Sequence, residues 1–230
     1  MIAVLDYGIG NLRSAEKALL HLGADARLVS DPAGAAGATG VVLPGVGAFG
    51  ACAEALRACK LDTVVLEAVE AGIPVLGLCV GFQLLFEGSE ESPGVPGLGL
   101  IGGRLRRLPP SVKRPQMQWN RTPTIPGRRS LLLAPFALPG DGAAEQAQGG
   151  PAPWFYYVHS FAMFMEHAAG ADAADAADAA VATCQYGAEV IAAVERGRLY
   201  GTQFHPEKSG RSGLRLLAAF LDICAETPAR

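Results

Sequence analysis

One cysteine, Cys79, has a glycine two residues away on each side, in the segment Gly77-Leu78-Cys79-Val80-Gly81. This spacing is typical of a nucleophile elbow, in which a sharp turn from strand to helix exposes a reactive side chain, here with cysteine in place of serine. The free N–H groups and the dipole of a helix N-terminus would favour the thiolate. The amide of Val80 would then point to where an oxyanion forms. The motif alone leaves open a buried structural cysteine between two packing glycines.

A thiol nucleophile needs a base, and the segment His205-Pro206-Glu207 offers one. Residues i and i+2 of an extended segment face the same way, and the proline prevents a helix. We therefore expect Glu207 to hold one tautomer of the His205 imidazole while His205 faces Cys79. Taken alone, this tripeptide would be interpreted as a surface turn. The prediction of a base therefore depends on the presence of the cysteine elbow as well.

A second oxyanion donor is expected from the glycine-rich segment Leu43–Gly50, which begins in a predicted buried strand. Its glycines would let the backbone around Val46 and Gly47 turn N–H groups towards the reacting atoms. A plain tight turn is the alternative that this segment leaves open.

Strands and helices alternate through the first half of the chain, as expected for an open α/β sheet. Four short apolar runs predict strands buried on both faces, which is typical of parallel sheets. These runs are IAVL, ARLV, GVVLPG and IPVLGL, and the predicted helices cover about 12–22, about 51–71 with an interruption near Lys60, and 80–87. These elements would place Cys79 and the Leu43–Gly50 segment at the ends of strands.

The second half of the chain gives weaker signals. Residues 94–150 are rich in glycine and proline and indicate turns and short strands, and Pro139–Pro153 predicts a surface loop. Aromatic residues in 154–164 predict a strand, and we interpret the Ala/Asp tract that follows as a peripheral low-complexity loop rather than a helix. A hairpin turning at Arg196–Gly197 and a helix over about 214–224 complete what we expect to be a single domain.

Composition excludes several classes of function. The 230 residues are half hydrophobic, and a net charge of −3 with a pI near 5.8 offers no basic surface to nucleic acid. No apolar run approaches the roughly 20 residues that a membrane span requires. Five cysteines without CxxC or metal-ligand spacing, and no signal-peptide pattern, indicate free thiols in a reducing cytoplasm. We expect no metal and no cofactor.

Taken together, the motifs resemble those of the class I, or triad, glutamine amidotransferases. Their nucleophile motif Gly-x-Cys-x-Gly-x-Gln is matched by Gly77, Cys79, Gly81 and Gln83, and their His-Pro-Glu by residues 205–207. The segments DYGIGNLRS, PGVGAFG, YYVHSF and GTQFHPEKSG are more specifically similar to the glutaminase subunit of imidazole glycerol phosphate synthase. The resemblance implies a three-layer, flavodoxin-like α/β fold with an open, mostly parallel sheet flanked by helices.

The resemblance also implies an activity. In that family the subunit hydrolyses glutamine and passes ammonia to a separate (β/α)₈ cyclase subunit, which makes imidazole glycerol phosphate and an aminoimidazole ribotide in histidine biosynthesis. Cys79 would attack the carboxamide carbon, His205 would move protons, and Glu207 would orient His205. The alternatives are a glutaminase feeding anthranilate, aminodeoxychorismate or pyridoxal phosphate synthesis, a cysteine hydrolase acting alone, and a non-catalytic binding module.

Further site residues follow from the same resemblance. The oxyanion and substrate pocket would be formed by Val46, Gly47, Val80, Gln83, Glu91, Ser160 and Phe161. The surface facing the cyclase would carry Asn11, Ser14, Met117, Trp119, Asn120 and Lys208. A surface role is the alternative for Glu91, and an ordinary solvated lysine is the alternative for Lys208. Gln118 departs from the family, which usually has glycine there, and this affects only the interface.

Overall fold

The computed structural model describes residues 1–136, 152–166 and 174–226, and a seven-stranded sheet forms its centre. The strands are β1 (Ile2–Leu5), β2 (Ala26–Val29), β3 (Gly40–Gly45), β4 (Val75–Cys79), β5 (Phe86–Ser89), β6 (Ile101–Arg107), β7 (Gln116–Arg121), β8 (Trp154–His159), β9 (Phe161–Ala162), β10 (Ala180–Gln185), β11 (Glu189–Arg196) and β12 (Leu199–Thr202). The α-helices are α1 (Leu12–His21), α2 (Phe49–Ala58), α3 (Leu61–Glu70), α4 (Val80–Gln83), α5 (Ala174–Ala179) and α6 (Gly210–Ala225).

The central sheet has the strand order β10-β11-β12-β4-β3-β1-β2. The five strands from β12 to β2 are parallel, and β11 is antiparallel to both of its neighbours. The predicted α/β class with a mostly parallel sheet is therefore confirmed. Because β3, β4 and β12 are neighbours, their carboxyl ends meet at one edge of the sheet, where open α/β sheets bind ligands.

Alternating side chains of the parallel strands pack into two cores, one on each face of the sheet. In β1, Ile2 and Val4 belong to the core that α1 and α6 cover, whereas Ala3 and Leu5 belong to the core that α2 and α3 cover. Every residue of β1, β3 and β4 is buried. The apolar runs form strands because both faces of each strand are covered by helices.

The predicted interruption near Lys60 is confirmed. Helix α2 ends at Ala58 and α3 begins at Leu61. Lys60 between them has a φ of 55°, a left-handed conformation that cannot continue an α-helix. The Thr63 hydroxyl donates to the Lys60 carbonyl at 2.7 Å, in the first turn of α3.

The predicted helix over 80–87 is wrong in its second half. Helix α4 ends at Gln83, and Phe86–Ser89 forms strand β5, which pairs in parallel with β6. Leu84, Leu85 and Phe86 are all buried, so the local apolar pattern fits a helix and a covered strand equally well. Pairing with β6, which lies further along the chain, decides between them.

The interpretation of the Ala/Asp tract as a peripheral loop is wrong for its described part. Residues 174–179 form helix α5, and Ala176 and Ala179 are buried. The Asp175 carboxylate accepts a hydrogen bond from the Gly102 N–H at 2.7 Å and pairs with Arg196. Alanine is small enough for this helix to pack closely on β6 and β11, which an isolated sequence pattern does not reveal.

Several other predictions have clear outcomes. The hairpin between β11 and β12 is confirmed, with Gly197 in its turn at a φ of 59°. The aromatic run 154–164 forms two strands, β8 and β9, and β8 pairs with β7 as an antiparallel ribbon. Nearly all of the predicted Pro139–Pro153 loop lies outside the described residues. Among the described helices, none has the length and apolar character that crossing a membrane would need.

Candidate active site

Cys79 is the last residue of β4 and stands directly before α4. Its φ is 54° and its ψ is −107°, a conformation that costs a non-glycine residue about 1–3 kcal/mol and that clusters at active sites. In the described part of the chain only Lys60 shares a positive φ without being glycine. The strain is tolerated because the turn aims the thiol at the edge of the sheet, as a nucleophile elbow requires.

The glycines around Cys79 are needed for close backbone packing. A Cβ on Gly81 would lie 1.8 Å from the Leu43 carbonyl oxygen, and one on Gly77 would lie 2.8 Å from the Gly81 carbonyl oxygen. A Cβ on Gly45 would lie 2.7 Å from the Gly81 nitrogen. The elbow therefore fits against the end of β3 only because these three positions carry no side chain.

His205 reaches Cys79 from the neighbouring strand. Strand β12 pairs with β4, and the chain leaves β12 at Thr202 to bring His205 to the same edge of the sheet. The imidazole Nδ1 lies 2.8 Å from Oε1 of Glu207, and both side chains are at most 4% exposed. The ring also interacts with Cys79, which raises the pKa of His205, and the Cys79 Sγ lies 3.6 Å from the Val158 carbonyl oxygen. The structure thus brings together the three residues that the sequence predicted as a triad.

The charge state of His205 follows from these contacts. Burial lowers the pKa of the imidazole, but hydrogen bonds and charge interactions with Cys79 and Glu207 outweigh burial and raise the pKa to about 10. The Asn11 side-chain amide also contacts Glu207, through a long hydrogen bond of 3.4 Å to Oε1. The site therefore favours an imidazolium whenever Cys79 is a thiolate, which is the form that a cysteine nucleophile uses.

The loop after β3 lies beside the thiol. Gly45 is opposite Cys79 in the register of β3 and β4. Val46 is half-buried and Gly47, with a φ of 86°, is exposed, and α2 begins shortly after them. Val80 is the first residue of α4, so its N–H belongs to the helix end that lacks internal partners. Both backbone segments that were predicted as oxyanion donors thus border Cys79.

A cavity of about 480 Å³ opens at this edge of the sheet, large enough for an amino acid. Most of the predicted site residues line it: Asn11, Val46, Gly47, Cys79, Val80, Gln83, Glu91, Ser160, Phe161, His205 and Lys208. Glu207 lies behind His205 and does not line the cavity. Ser14, Met117, Trp119 and Asn120 lie outside the cavity as well, on surfaces predicted to face a partner.

Two predicted substrate-binding residues make contacts inside the protein. The Gln83 amide nitrogen donates to the Phe161 carbonyl at 2.9 Å and to the Gln203 side-chain oxygen at 3.1 Å, so both amide hydrogens are used. The Glu91 carboxylate accepts a hydrogen bond from the Phe49 N–H at 2.7 Å, at the first turn of α2. Gln83 therefore holds the backbone at Phe161, and Glu91 holds the helix that follows the Val46–Gly47 loop.

His159 lines the cavity and was not among the site residues predicted from the sequence. It is 5% exposed, its Nδ1 lies 3.0 Å from the Phe161 carbonyl, and its Nε2 has no partner within the described residues. Burial lowers its pKa to about 4, partly offset by the Phe161 carbonyl and reinforced by His205. The period-two pattern of β8, which buries Phe155, Tyr157 and His159, is the signal that could have identified it.

The residues predicted to face a partner lie around the cavity rim and on the ribbon of β7 and β8. Met117 and Trp119 are 62% and 47% exposed, and they pair with Val158 and Tyr156 across the ribbon. Asn120 donates to the Gln185 carbonyl at 3.0 Å, whereas Ser14 donates to the Asn11 side chain at 2.8 Å. Lys208 is exposed at the cavity rim. Val158 also lines the cavity, so the exposed ribbon face is continuous with it.

Comparison with known proteins agrees with this geometry. The family model for class-I glutamine amidotransferases matches residues 3–224. Imidazole glycerol phosphate synthase subunit HisH from Methanothermobacter thermautotrophicus is 41% identical over 97% of this chain and 98% of its own length, and the Deinococcus radiodurans HisH is 41% identical over 95% and 92%.

Solved structures give the same fold. A crystal structure of a glutamine amidotransferase superposes with a TM-score of 0.68 at 18% identity, covering 97% of this chain and 98% of that one. PurLQS from Thermotoga maritima gives 0.69 at 21% identity, covering 96% and 97%. With a matching family model, close relatives of one name and an elbow cysteine beside a histidine–glutamate pair, the chain belongs to the class-I glutamine amidotransferases, in the family of HisH subunits of imidazole glycerol phosphate synthase.

Proposed function

We propose that this chain is the glutaminase subunit of an imidazole glycerol phosphate synthase, releasing ammonia from glutamine for a (β/α)₈ cyclase subunit in histidine biosynthesis. The observation that carries the proposal is the left-handed Cys79 at the end of β4, which lines an amino-acid-sized cavity together with His205, itself paired with Glu207 at 2.8 Å. One domain over residues 1–230 carries the activity, and the family match to residues 3–224 supports this.

In the first step the Cys79 thiolate attacks the carboxamide carbon of glutamine, and the carbonyl electron pair moves onto oxygen. The resulting tetrahedral oxyanion would be stabilised by the N–H of Val80 and by N–H groups of the Val46–Gly47 loop, which border the thiol. The intermediate collapses as the His205 imidazolium protonates the leaving nitrogen, which departs as ammonia. A glutamyl thioester remains on Cys79.

In the second step water hydrolyses the thioester. Neutral His205 takes a proton from the water as it attacks, and a second oxyanion forms at the same donors. Collapse expels the Cys79 thiolate and releases glutamate, which restores the thiolate–imidazolium pair. Glu207 keeps the His205 Nδ1 hydrogen-bonded throughout, so the ring changes its charge without changing its orientation.

A partner follows from the chemistry of the product. Ammonia released into water becomes ammonium, which is not a nucleophile, so the site should open onto the enzyme that consumes it. The exposed ribbon face with Met117 and Trp119, which adjoins the cavity at Val158, and the rim residues Asn11 and Lys208 are the surface that we assign to the cyclase. Ser14 and Asn120 would support that surface through their contacts with Asn11 and Gln185.

The test is glutamate release from glutamine, with and without the cyclase subunit, for wild type, Cys79→Ala and Cys59→Ala. We expect low activity alone, strong stimulation by the cyclase carrying its substrate, and a loss of more than about 10³-fold in Cys79→Ala. Cys59, at the end of α2 and away from the cavity, is the control and should leave the activity unchanged. Glutaminase activity that persists in Cys79→Ala would reject the proposal. Activity that the cyclase does not change, together with hydrolysis of esters or peptides, would reject it as well.

A further inference from the structure

Two buried side chains outside the cavity hold the loop that runs from Pro44 to Gly47. The Tyr7 hydroxyl donates a hydrogen bond to the Pro44 carbonyl, and the Cys52 thiol donates to the Val46 carbonyl with the sulfur 3.2 Å from the oxygen. Tyr7 follows β1, the neighbour of β3, and is 4% exposed, while Cys52 lies in α2 and is fully buried. The loop is therefore held from the sheet and from the helix that follows it.

Each of these contacts depends on a single hydrogen. Tyr7 and Cys52 also interact with each other, and each has one hydrogen to donate. Burial raises the pKa of Cys52 to about 11 and holds the pKa of Tyr7 well above its usual value, so both groups keep their hydrogens at neutral pH. Both carbonyls thus accept hydrogen bonds from neutral donors.

Holding these carbonyls also orients the N–H groups of the loop. In a planar trans peptide the C=O and the following N–H point in opposite directions. Fixing the Pro44 and Val46 carbonyls therefore fixes the directions of the Gly45 and Gly47 N–H groups. Gly47 has a φ of 86° and an exposed backbone, so without such contacts its peptide would rotate easily. Val46 and Gly47 line the cavity, whereas Tyr7 and Cys52 are not among its described lining residues.

We propose that Tyr7 and Cys52 are positioning residues for oxyanion stabilisation, because their hydrogen bonds to the loop carbonyls keep the loop N–H groups turned towards Cys79. The inference rests on the proposed glutaminase function and adds two residues to it. Because the oxyanion exists only after attack, loss of these contacts should reduce kcat and leave KM nearly unchanged. Removal of an oxyanion donor itself costs on the order of 10²–10³-fold, so the loss of one supporting bond should cost less, about tenfold.

The test uses the complex with the cyclase subunit and the variants Cys52→Ala, Cys52→Ser and Tyr7→Phe. We expect Cys52→Ala and Tyr7→Phe each to lower kcat about tenfold at constant KM. Cys52→Ser keeps a donor at the same place and should recover most of the activity, which a simple packing role for the sulfur would not predict. The control is Cys224→Ala, which removes the same atoms from a buried cysteine in the core on the other face of the sheet.

A second measurement separates loop geometry from substrate binding. A glutamine analogue with an aldehyde in place of the carboxamide accepts the Cys79 thiolate at its carbonyl carbon, and its oxygen becomes the oxyanion. Its inhibition constant should rise about tenfold in Cys52→Ala and Tyr7→Phe, in parallel with kcat, and remain unchanged in Cys224→Ala.

The outcomes distinguish the inference from the function on which it rests. A wild-type complex without Cys79-dependent glutaminase activity rejects the proposed function, and the inference falls with it. A wild-type complex that is active, with Cys52→Ala and Tyr7→Phe variants of unchanged or higher kcat, overturns the inference alone. Equal losses in Cys52→Ala and Cys224→Ala, with no recovery in Cys52→Ser, overturn it as well.

Discussion

Two histidines line the same cavity, and their surroundings give them opposite properties. His205 is 3% exposed and His159 is 5% exposed, so burial lowers the pKa of both. The pKa of His205 is nevertheless raised to about 10, whereas that of His159 falls to about 4. The same residue type at nearly the same depth thus favours the charged ring in one place and the neutral ring in the other.

The difference lies in the charge of the hydrogen-bond partners. Glu207 offers a carboxylate to His205, and Cys79 offers a sulfur that is anionic when it acts as the nucleophile. Among the residues that the structure describes, the neutral Phe161 carbonyl is the hydrogen-bond partner of His159, and a protonated His205 nearby opposes a second positive charge. Burial therefore disfavours the charged form of both rings, and the charge of the hydrogen-bond partner determines whether the pKa is nevertheless raised. Three predictions test whether the partners account for the difference between the two histidines.

The largest effect is expected from Glu207→Gln. This change keeps the shape of the side chain but removes its charge, so the pKa of His205 should fall and the imidazole should lose its preferred tautomer. We expect kcat of glutamine hydrolysis to fall by about 10⁴-fold, as for the equivalent change in a serine triad. The measurement is kcat in the cyclase complex together with an NMR titration of His205. An unchanged titration would show that Cys79 alone holds the proton, contrary to the comparison.

An intermediate effect is expected from His159→Phe. The variant keeps a ring but removes one of the two hydrogen bonds that the buried Phe161 carbonyl accepts, the other coming from Gln83, which costs about 0.5–1.5 kcal/mol of stability. Because Ser160 and Phe161 line the cavity, KM for glutamine should rise about tenfold while the His205 titration stays the same. The matched control is Tyr157→Phe, which loses the buried 2.7 Å hydrogen bond to Thr122 but lies outside the cavity. Equal KM values in the two variants would contradict a role for His159 at the site.

The smallest effect is the pH dependence of unfolding. The raised pKa of His205 adds stability that is complete below its ordinary value of 6.5 and is lost as pH rises towards about 10. The lowered pKa of His159 has the opposite effect. As pH falls below 6.5 the unfolded chain binds a proton at this histidine, whereas the folded chain does so only near pH 4, so stability declines between these two values. Each slope is limited to about 1 kcal/mol per pH unit.

Urea unfolding between pH 5 and pH 9 measures both limbs of this dependence. Stability should be greatest near pH 6.5 in the wild type. His159→Phe should flatten the acid limb, and Cys79→Ala should flatten the alkaline limb by removing one partner of His205. If the acid limb persists in His159→Phe, other groups cause it, and the conclusion that His159 has a lowered pKa would be contradicted.

The sequence predicted best where local pattern and tertiary role agree. The buried strands, the break at Lys60 and the segments bearing Cys79, His205 and Glu207 are all encoded by short patterns of apolar residues, glycine and proline. It predicted less well where distant pairing decides: Phe86–Ser89 forms a strand because β6 lies beside it, and Ala174–Ala179 forms a helix because Gly102 and Arg196 hold Asp175. His159 was missed because the alternating pattern of β8 indicates that its side chain is buried but does not show that it borders a cavity.

The proposed nucleophile and the proposed base lie at the ends of different strands, and this affects when the site can form while the chain is being synthesised. Cys79 ends β4 in the first half of the chain, whereas His205 follows β12 near its end, and the two meet only when β12 has paired with β4. A ribosome releases the first of these strands long before it makes the second. A half-synthesised chain therefore carries Cys79 without His205, and the proposed triad forms only when the last parallel strand has joined the sheet.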